Sequence, residues 1–555
     1  MTSTPAGDSA SQGAGPGEAG RGEAPPWDPA SAGPPEKRRH DGWWAALAGV
    51  VATGAGLALA ELLAAFVGPG SGPVVAVGGA VVDGVPGWLK DLAVSWFGTA
   101  DKAVLLATMG VVSLAGAAFA GFLERRRPPW GAVLLGAVGV VAAIIAARRP
   151  GATVVWALPS LVGVVAAVVL LGALLRRVEV WFAEDERPGG DWREAVDRRR
   201  FLQWTGVTAA GAVLALGASR VVSAGGRVVA AARDAIRLPR PATAAAPLPT
   251  GVDFGAPATV PGLTPYVTPN PDFYRIDTAL LLPQVDPGDW SLSVTGLVDQ
   301  PFTLTWDELL ALPLEEHYVT LTCVSNEVGG NLVGNARWLG YPVRELLARA
   351  GPQAGADMVL SRSTDGFTAG TPLEVLQDPG RASLLAVGMN GEPLPVEHGF
   401  PARLVVPGLY GYVSATKWVT ELTVTTFAAD QGYWTPRGWS ARGPIKLSSR
   451  IDVPRPGADL PAGTVTLAGV AWAQHTGISR VQVRVDDGAW VEAQLAGTVG
   501  PDTWLQWRHD WDATPGDHTV AVRATDADGN VQVQAEAPPA PDGATGWQTI
   551  PVTIT

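Results

Sequence analysis

The chain has 555 residues, which suggests several domains, and its formal net charge of −12 argues against a nucleic-acid-binding protein. Its only cysteine, Cys323, excludes an internal disulfide, a four-cysteine zinc site and a cysteine-ligated iron–sulfur cluster. The chemistry of the thiol alone leaves three roles open. It can pack as a small apolar side chain, act as a nucleophile, or give one thiolate to a metal.

The first 177 residues combine a polar tail with long apolar runs. Residues 1–42 are rich in Gly, Pro and charge and predict a disordered tail. Residues 43–177 predict a transmembrane helical block of about four spans. The segment Val74–Phe97 contains Asp83 and Pro86 and predicts a loop or interfacial segment, with a further span as the alternative. The four predicted spans are Trp43–Val67, Lys102–Leu123, Trp130–Ala147 and Ala152–Leu175.

Arginine clusters predict the orientation of this block in the cell membrane. The clusters Arg125–Arg127 and Arg176–Arg177 should be cytoplasmic, so both ends of the block face the cytoplasm. The pair Arg148–Arg149 would then lie in an external turn, which weakly violates the rule. The block contains no histidine, which excludes a bis-histidine haem between its spans, and we expect it to anchor the chain or dock a partner.

A second basic segment precedes a further apolar run. The sequence Arg198-Arg199-Arg200-Phe201-Leu202, within residues 198–225, has the pattern Arg-Arg-x-Phe-Leu, resembles a twin-arginine export signal and predicts an anchor helix that remains uncleaved. The alternative is a plain basic anchor for a fifth span. Either interpretation places the rest of the chain on the extracytoplasmic side of the plasma membrane.

The second half of the chain predicts a linker and two folded domains. Residues 226–264 are rich in Ala and Pro and predict a linker. Residues 265–430 mix short strands with helices, which is typical of an α+β domain. Within it, Thr305 and Glu308 have the spacing of a capping box, and Val343–Ala350 predicts a helix closed by Gly351. The run Val319–Cys323 predicts a strand that delivers the cysteine to a glycine-rich loop.

Residues 438–555 predict an Ig-like β-sandwich. Strand-like runs recur at short intervals and are separated by turn signals such as Asp486-Asp487-Gly488. The sequence Asp526–Asn530 suggests either a calcium loop or a hairpin turn. The hairpin turn is favoured because a third acidic ligand before the glycine and a terminal glutamate are missing.

Four segments of the α+β region occur in the order of a known family. They are Asp272–Asp277, Val319–Gly340 around Cys323, Met389–Arg403 and Pro407–Trp418. Together they resemble the sulfite oxidase family of molybdenum–pterin enzymes. The resemblance implies a sulfite oxidase-type molybdopterin-binding domain, and it implies that the C-terminal sandwich is of the family's dimerisation type, so a homodimer is expected.

The resemblance also implies a role for individual residues. Cys323 corresponds to the thiolate ligand of molybdenum, and soft sulfur suits a metal already held by a dithiolene. Arg275 follows the first pterin-contacting residues and is expected to be catalytic. The residues expected to bind the cofactor are Phe273, Tyr274, Cys323, Asp365, His398, Arg403, Ser414, Ala415, Thr416 and Lys417.

Two departures from the family concern the substrate. Glu327 stands near the position of an anion-binding arginine, and Phe367 appears at the position of the active-site tyrosine. A carboxylate would repel sulfite, and a phenyl ring cannot donate a hydrogen bond. Sulfite itself is therefore not the expected substrate, and Arg275, Arg337 or Arg362 could supply positive charge instead.

The resulting hypothesis is a membrane-anchored, extracytoplasmic molybdenum–pterin oxidoreductase that transfers an oxygen atom to or from a small substrate. Neither a haem nor an iron–sulfur cluster is expected, so electrons pass to or from a separate partner. One alternative is a non-enzymatic cell-surface binding module that retains the scaffold. Another, a cysteine hydrolase with His317 as base, is disfavoured because six residues of strand separate the two side chains by about 20 Å.

Overall fold

The computed structural model describes residues 41–68, 70–85, 101–149, 152–184, 199, 202–214, 225–251, 253–254, 260–279 and 282–555. The predicted disordered tail lies almost wholly outside the described residues, as do Arg200 and Phe201 of the predicted twin-arginine segment. The helices of the N-terminal part are α1 (Asp41–Val67), α2 (Pro73–Gly84), α3 (Asp101–Arg126), α4 (Trp130–Ala147), α5 (Leu158–Glu184), α6 (residues 202–214) and α7 (Gly225–Ala235).

Four of these helices are long and apolar enough to cross a membrane, as predicted. They cover Gly42–Val67, Val104–Arg126, Trp130–Ala147 and Val154–Val180. Glycines allow the backbones to approach closely, because a Cβ atom on Gly49 of α1 would clash with Gly121 of α3, and one on Gly56 with Gly163 of α5. The four helices pack closely through small residues, and their length and composition fit a membrane anchor.

The short helix α2 lies at one end of this bundle. Its first turn is capped by Glu61 of α1, whose Oε1 accepts a hydrogen bond from Val74 N at 3.1 Å. The segment Val74–Phe97, predicted to be a loop or interfacial, thus begins as a helix of 12 residues, too short to span a bilayer. The remainder of that prediction, residues 86–100, lies outside the described part of the chain.

The other end of the bundle carries the arginine clusters. Arg125 at the end of α3 pairs with Glu179 near the end of α5, with 3.3 Å between Nη1 and Oε1. Helix α6 begins at this same end, because the Arg177 guanidinium lies 4.6 Å from the centre of the Trp204 ring. The basic end and the α2 end are therefore opposite ends of the bundle.

The segment predicted to be a linker is partly regular. Residues 226–235 belong to helix α7, which packs Val229 into the core of the following domain. Residues 236–251 then run along that domain, and Ala242 N donates to Leu314 O at 2.7 Å. The Ala-rich composition of this segment is compatible with a helix once one apolar face is buried.

One mixed sheet, one antiparallel sheet and four short α-helices form the middle domain. One sheet has the strand order β2-β1-β10-β5-β6, and the other has the order β3-β4-β7-β8 with β9 also paired to β7. The strands are β1 (Ser291–Gly296), β2 (Phe302–Thr305), β3 (Glu315–Thr322), β4 (Val333–Pro342), β5 (Met358–Ser363), β6 (Thr368–Pro372), β7 (Leu384–Met389), β8 (Glu392–Pro393), β9 (Arg403–Val405) and β10 (Val419–Thr425). The helices are α8 (Trp306–Ala311), α9 (Val343–Ala350), α10 (Leu373–Gln377) and α11 (Gly411–Ser414).

The predicted helix boundaries of this domain are confirmed. Thr305 and Glu308 form a reciprocal capping box at the start of α8. Gly351 ends α9 in the left-handed region with φ 66°, where a glycine avoids the Cβ clash. The core between the sheets contains Trp290, Leu339 and Leu422, each almost fully buried.

The C-terminal domain is a two-sheet sandwich, as predicted. Its sheets have the orders β11-β13-β17-β16 and β12-β19-β18-β14-β15. Asp526 accepts hydrogen bonds from Asp528 N and Asn530 N, at 3.1 and 2.8 Å, so its carboxylate closes the predicted hairpin turn. The strands are β11 (Ser448–Val453), β12 (Ala458–Leu460), β13 (Gly463–Trp472), β14 (Ile478–Val485), β15 (Val491–Glu492), β16 (Gln494–Leu495), β17 (Leu505–Ala513), β18 (Gly516–Asp526) and β19 (Thr549–Ile554).

The sandwich packs directly against strand β3. Thr320 of β3 donates from its backbone N to Asp502 O at 2.9 Å, and its hydroxyl accepts from Trp504 N at 2.8 Å. Gln474 Nε2 donates to Thr320 O at 3.0 Å. The strand that leads to Cys323 is therefore held by both domains, which fixes the position of the thiol.

Candidate active site

Cys323 lies one residue beyond the end of β3, in a tight turn. Its backbone N donates to Leu332 O at 2.9 Å, and its carbonyl accepts from Asn326 N at 3.1 Å. The Asn326 side chain closes the turn by accepting from Leu332 N at 2.7 Å. The cysteine is only 8% exposed, and this burial raises the pKa of its thiol, while hydrogen bonds from the backbone and side chain of Ser325 act in the opposite direction.

Tyr274 and Arg403 share the pocket of Cys323. Burial raises the pKa of the Tyr274 phenol strongly, the charge of a Cys323 thiolate raises it further, and the Arg403 guanidinium lowers it. These effects place Cys323 and Arg403 within electrostatic reach of Tyr274. The irregular segment after Asn270, which carries Tyr274, and the strand β9, which carries Arg403, are far apart in sequence.

Arg403 is a buried cation whose hydrogen bonds all go to backbone carbonyls. It is 5% exposed and donates to His398 O at 3.1 Å, to Leu404 O at 3.3 Å and to Ala415 O at 3.5 Å. Burial lowers its pKa to about 10. Among the described residues, no carboxylate oxygen lies within 4.0 Å of its guanidinium. A buried arginine in this state is suited to an anionic ligand.

His398 is a neutral imidazole in the same region. It is 3% exposed, and burial followed by the charge of Arg403 lowers its pKa to about 4. Its Nε2 lies 3.1 Å from Asn270 O, which is a carbonyl and must accept the hydrogen bond. The proton is therefore on Nε2, and Nδ1 is a hydrogen-bond acceptor.

Lys417 and Arg275 meet on one carboxylate. Lys417 Nζ and Arg275 Nε each lie 2.9 Å from Asp277 Oδ2, and Lys417 also donates to Glu397 O at 3.1 Å. Burial lowers the pKa of Lys417 to about 8, and Asp277 opposes this effect. Lys417 is nearly buried, whereas the Arg275 side chain is 44% exposed. Arg275 is thus the cation of this group that solvent molecules can reach.

The other residues of the Pro407–Trp418 segment that are predicted to bind the cofactor form hydrogen bonds with other protein groups. Ser414 Oγ donates to Tyr410 O at 2.9 Å, and Ala415 N donates to Gly411 O at 2.9 Å. The Thr416 hydroxyl is 2.7 Å from Ser361 Oγ. These three residues shape the turn, and Lys417 is the residue of the segment that adds charge to the site.

Phe273 and Asp365 occupy different environments. Phe273 is 5% exposed and packs edge-on against Trp338 and His398, with ring centroids 5.7 and 5.5 Å apart. It therefore supports the His398 ring from the core side. Asp365 Oδ1 accepts from Phe367 N at 3.1 Å, which is the hydrogen bond of an Asp-Gly turn.

The structure shows where Glu327 and Phe367, the two residues that depart from the family pattern, lie. Glu327 is exposed, and Phe367 packs against Tyr433, with 5.8 Å between the ring centroids. Tyr410 was not singled out from the sequence, although it lies in the quoted Pro407–Trp418 segment. It is buried, and burial together with the charges of Asp542 and Cys323 raises its pKa to about 12, against a hydrogen bond from Lys446 N that lowers it. Tyr274 and Tyr410 therefore give the neighbourhood of Cys323 two phenol groups.

The two alternative arginines are neutralised by partners. Arg337 Nε lies 3.3 Å from Glu316 Oε1, and Arg362 Nε lies 3.0 Å from Glu421 Oε2. Neither supplies unbalanced positive charge. The excess charge of the site comes from Arg275 and Lys417, which share the carboxylate of Asp277, and from Arg403, which bonds to backbone carbonyls.

Two cavities in the structure lie away from this cluster. One has a volume of about 30 Å³ and is lined by Met358 and Phe427, and the other, of about 260 Å³, is lined by Thr498 and Thr503. Neither is lined by Cys323 or Arg403. The fit of a cofactor is therefore judged from the donor set and not from the shape of a cavity.

This donor set fits a molybdenum–pterin group. A metal of that kind takes a soft thiolate, which Cys323 can provide. The phosphate of the pterin needs buried cations without a competing carboxylate, and Arg403 satisfies that requirement. Metal sites built from several protein ligands are a separate matter, and the described residues contain no cluster of three or more His, Cys, Asp or Glu side chains that could hold an ion.

Comparisons with known proteins match two parts of the chain to known families. Residues 279–434 match the family model described as oxidoreductase molybdopterin binding domain, and residues 448–522 match a bacterial Ig domain. Mitochondrial sulfite oxidase of Mus musculus is 32% identical over 322 residues, which cover 49% of this chain and 58% of the mouse protein. An NADH nitrate reductase of Arabidopsis thaliana is 28% identical over 355 residues, covering 53% of this chain and 37% of the plant protein.

A solved structure is also similar. The sulfane dehydrogenase SoxCD from Paracoccus pantotrophus is 26% identical, with a TM-score of 0.46, over 52% of this chain and 81% of the matched chain. The chain spans little more than half of the length of the mouse sulfite oxidase, since the match covers 58% of that protein.

Proposed function

Because residues 279–434 are a sulfite oxidase-like molybdopterin-binding oxidoreductase domain, we propose that this protein is a membrane-anchored enzyme with a molybdenum–pterin cofactor bound at Cys323. The enzyme would transfer an oxygen atom to or from a small substrate. The domain would extend over residues 265–430, with residues 438–555 as an Ig-like domain able to mediate a homodimer.

One observation carries this proposal. Tyr274 lies within electrostatic reach of both the single thiol of the chain and Arg403, a buried arginine with which no carboxylate of the described residues pairs. The thiol suits the metal and the arginine suits the phosphate of the same cofactor. A non-enzymatic binding module has no need of this combination, because an uncompensated buried charge destabilises the fold.

The cofactor would supply two-electron oxygen-atom transfer chemistry at its metal. The chain would supply everything else. Arg403 and Lys417 would hold the phosphate and the pterin edge through charge-assisted hydrogen bonds, and neutral His398 would offer the acceptor Nδ1. Tyr274 and Tyr410 are protonated at neutral pH, since their ordinary pKa of 10 is already well above 7 and burial raises it further, so they can donate hydrogen bonds beside Cys323.

Arg275 would receive the substrate. It is 44% exposed, and the Asp277 carboxylate that orients it is shared with Lys417. A half-exposed guanidinium at the mouth of the pocket favours a small anionic or strongly dipolar substrate. Since two tyrosines lie beside Cys323, the phenyl ring of Phe367 does not by itself decide against any oxyanion.

The arrangement of the membrane anchor supports an extracytoplasmic position of the catalytic domain. The arginines of the basic end, among them Arg125 and Arg177, favour the cytoplasm. At the opposite end, Asp83 of α2 accepts a hydrogen bond from Tyr433 OH at 2.6 Å, and its backbone O accepts from Arg437 at 3.3 Å. The catalytic domain therefore contacts the α2 end of the bundle, which carries, of the arginines in the described bundle, only the pair Arg148–Arg149, with Arg149 donating to Ala76 O of α2 at 3.5 Å.

Helices α6 and α7 complete this topology. The contact between Arg177 and Trp204 places the start of α6 at the basic end, and α7 contacts the catalytic domain at the other end. Residues 198–225 would thus form a fifth crossing that remains as an anchor. Electrons would pass to or from a separate partner protein.

The proposal is tested on the full chain in detergent, produced in a host that makes the molybdenum–pterin cofactor. Molybdenum and pterin are measured per chain for the wild type and for Arg403→Met. We expect about one of each in the wild type and at least a tenfold loss of pterin in the variant. Full-length, folded wild type with far less than one molybdenum per chain would overturn the proposal.

A further inference from the structure

Helix α7 is the last helix before the catalytic domain, and its Arg233 reaches into that domain. The Arg233 side chain is 17% exposed, and its Nη2 lies 3.0 Å from Glu392 Oε2. It also donates to Pro393 O at 2.8 Å and to Leu394 O at 2.9 Å. One arginine on the membrane-side helix thus holds three consecutive residues of the β8 hairpin.

Glu392 links Arg233 to the buried residue Asn270. Its second carboxylate oxygen, Oε1, accepts from Asn270 Nδ2 at 2.5 Å. Asn270 is 8% exposed, and its Oδ1 accepts from Asn390 Nδ2 at 2.8 Å. Because both oxygens of Glu392 are engaged, the carboxylate cannot rotate without breaking one of the two contacts.

Asn270 in turn orients His398. The backbone carbonyl of Asn270 accepts the Nε2–H of His398 at 3.1 Å and so selects the tautomer of the ring. The hairpin acts on His398 by a second route, since Pro395, next to Leu394, accepts from His398 N at 2.9 Å. His398 O then accepts from Arg403 at 3.1 Å. An unbroken set of contacts runs from α7 to the buried arginine of the pocket.

We propose that Arg233 is a positioning residue that, from the membrane-side helix α7, fixes Glu392 and Asn270 and thereby sets the orientation of His398 in the cofactor pocket. The inference rests on the proposed cofactor site for its functional meaning, while the positioning itself is a property of the protein alone. It implies that helix α7 of the linker is part of the active-site scaffold and not a passive connection.

Arg237, one turn further along the chain, provides a matched control. Its Nη1 donates to the carbonyls of Asp234 and Ile236, at 3.1 and 3.4 Å, both within or next to α7. Arg237→Ala therefore removes an arginine of the same segment without touching the hairpin. Glu392→Gln keeps the shape of the bridging side chain but removes the charge that Arg233 binds.

The experiment uses the full chain in detergent and two readouts. The first is hydrogen–deuterium exchange of cofactor-free protein, followed in peptides that contain Asn270–Arg275 and Leu394–Gly399. The second is the rate at which cofactor-loaded protein releases pterin, followed by the fluorescence of the oxidised pterin. The variants are Arg233→Ala, Arg233→Lys, Glu392→Gln, the double variant Arg233→Ala/Glu392→Gln and Arg237→Ala.

We expect Arg233→Ala and Glu392→Gln each to raise exchange in both peptides by about tenfold, and Arg237→Ala to leave them unchanged. The double variant should behave like either single variant, because the two residues act in one chain of contacts. Arg233→Lys should restore part of the protection. Pterin release should be accelerated by Arg233→Ala and by Glu392→Gln, less by Arg233→Lys, and not by Arg237→Ala.

Three results would overturn the inference. Exchange raised only within α7 would show that Arg233 merely fastens the helix. Additive effects in the double variant would show two independent contacts. Unchanged exchange in both peptides would show that the contacts do not reach His398. A wild type that lacks pterin would refute the proposed function instead, and the exchange measurement would still decide the positioning role.

Discussion

Arg275 and Lys417 bind the same oxygen atom, since Arg275 Nε and Lys417 Nζ each lie 2.9 Å from Asp277 Oδ2. The two cations therefore compete for one carboxylate in a largely buried place. This leaves the pocket with positive charge that an anionic ligand can neutralise. Burial, and after it the charges of Arg403 and Arg275, lower the pKa of Lys417 to about 8, while Asp277 opposes them.

The first prediction concerns the pH dependence of cofactor binding. Lys417 of the cofactor-free protein loses its proton as the pH rises through about 8, so binding of the pterin phosphate should weaken above that pH. Asp277→Asn removes the group that favours the charged lysine and should move the midpoint of this loss to lower pH. The measurement is pterin binding between pH 6.5 and 9.5. Lys446→Met, which removes a half-exposed lysine paired with Asp542, should leave the midpoint where it is.

The stability of the fold depends on the protonation of Lys417 in the opposite direction to cofactor binding. Its pKa is lower in the folded protein than the ordinary value of 10.5, so the unfolded chain binds more protons between pH 8 and 10.5. The free energy of unfolding should therefore rise with pH across that window in the cofactor-free wild type. Lys417→Met should remove this rise, and an identical slope in both proteins would contradict the burial of a charged lysine.

The second prediction separates cofactor binding from stability at Arg403. The buried guanidinium hydrogen-bonds to backbone carbonyls and lies 5.1 Å from the centre of the Trp338 ring, and no carboxylate of the described residues pairs with it, so its burial costs free energy in the absence of a ligand. Arg403→Met should raise the free energy of unfolding of cofactor-free protein by about 1 kcal/mol and still reduce pterin content at least tenfold. Denaturant unfolding followed by tryptophan fluorescence gives the first value. Parallel losses of stability and of pterin would assign Arg403 a structural role.

The third prediction uses the low pKa of His398. The folded protein keeps this imidazole neutral down to about pH 4, whereas the unfolded chain protonates it near pH 6.5. The contribution of His398 to stability is thus present above pH 6.5 and is lost as the pH falls towards 4, by about 3 kcal/mol in total. Unfolding of wild type and His398→Gln at pH 7 and pH 4.5 measures this loss. The variant should be less sensitive to acid, and equal sensitivity would show that His398 is not buried as a neutral ring.

The fourth prediction exploits the single cysteine. Any thiol reagent that modifies this protein reports on Cys323, because the chain has no other thiol. Burial raises the pKa of Cys323, so alkylation of cofactor-free protein should be slow at pH 7 and accelerate with rising pH beyond the ordinary thiol range. Loaded protein should resist alkylation throughout. Rapid modification at pH 7 would indicate an activated nucleophile and would favour a hydrolase-like role for Cys323.

Much of the fold follows from local sequence signals. The four apolar helices, the capping box at Thr305 and the glycine that ends α9 depend on residues that are neighbours in the chain. The turn at Asp526 is also predictable from the sequence, since its hydrogen bonds stay within five residues. Cys323 could be placed at a strand end because β-branched residues precede it and glycines follow it.

The candidate site is harder to predict from the sequence, because the ion pairs and the burial of its residues depend on which strands pair. Arg362 looks like a free cation in the sequence, yet it is the cross-strand partner of Glu421 in the β5–β10 pair. The role of Glu392 depends on Asn270, which lies 122 residues away. Tyr410 was overlooked because nothing local indicates that it is buried beside Cys323. Such contacts are fixed by tertiary structure and leave no pattern in the local sequence.

The central claim is that Cys323 gives its sulfur to molybdenum. X-ray absorption at the molybdenum edge, recorded on full-length wild type and on Cys323→Ser, tests it most directly because it counts the sulfur ligands of the metal. The account predicts one sulfur ligand fewer in the variant, with the pterin still bound through Arg403 and Lys417. An unchanged number of sulfur ligands in a variant that retains molybdenum would contradict it.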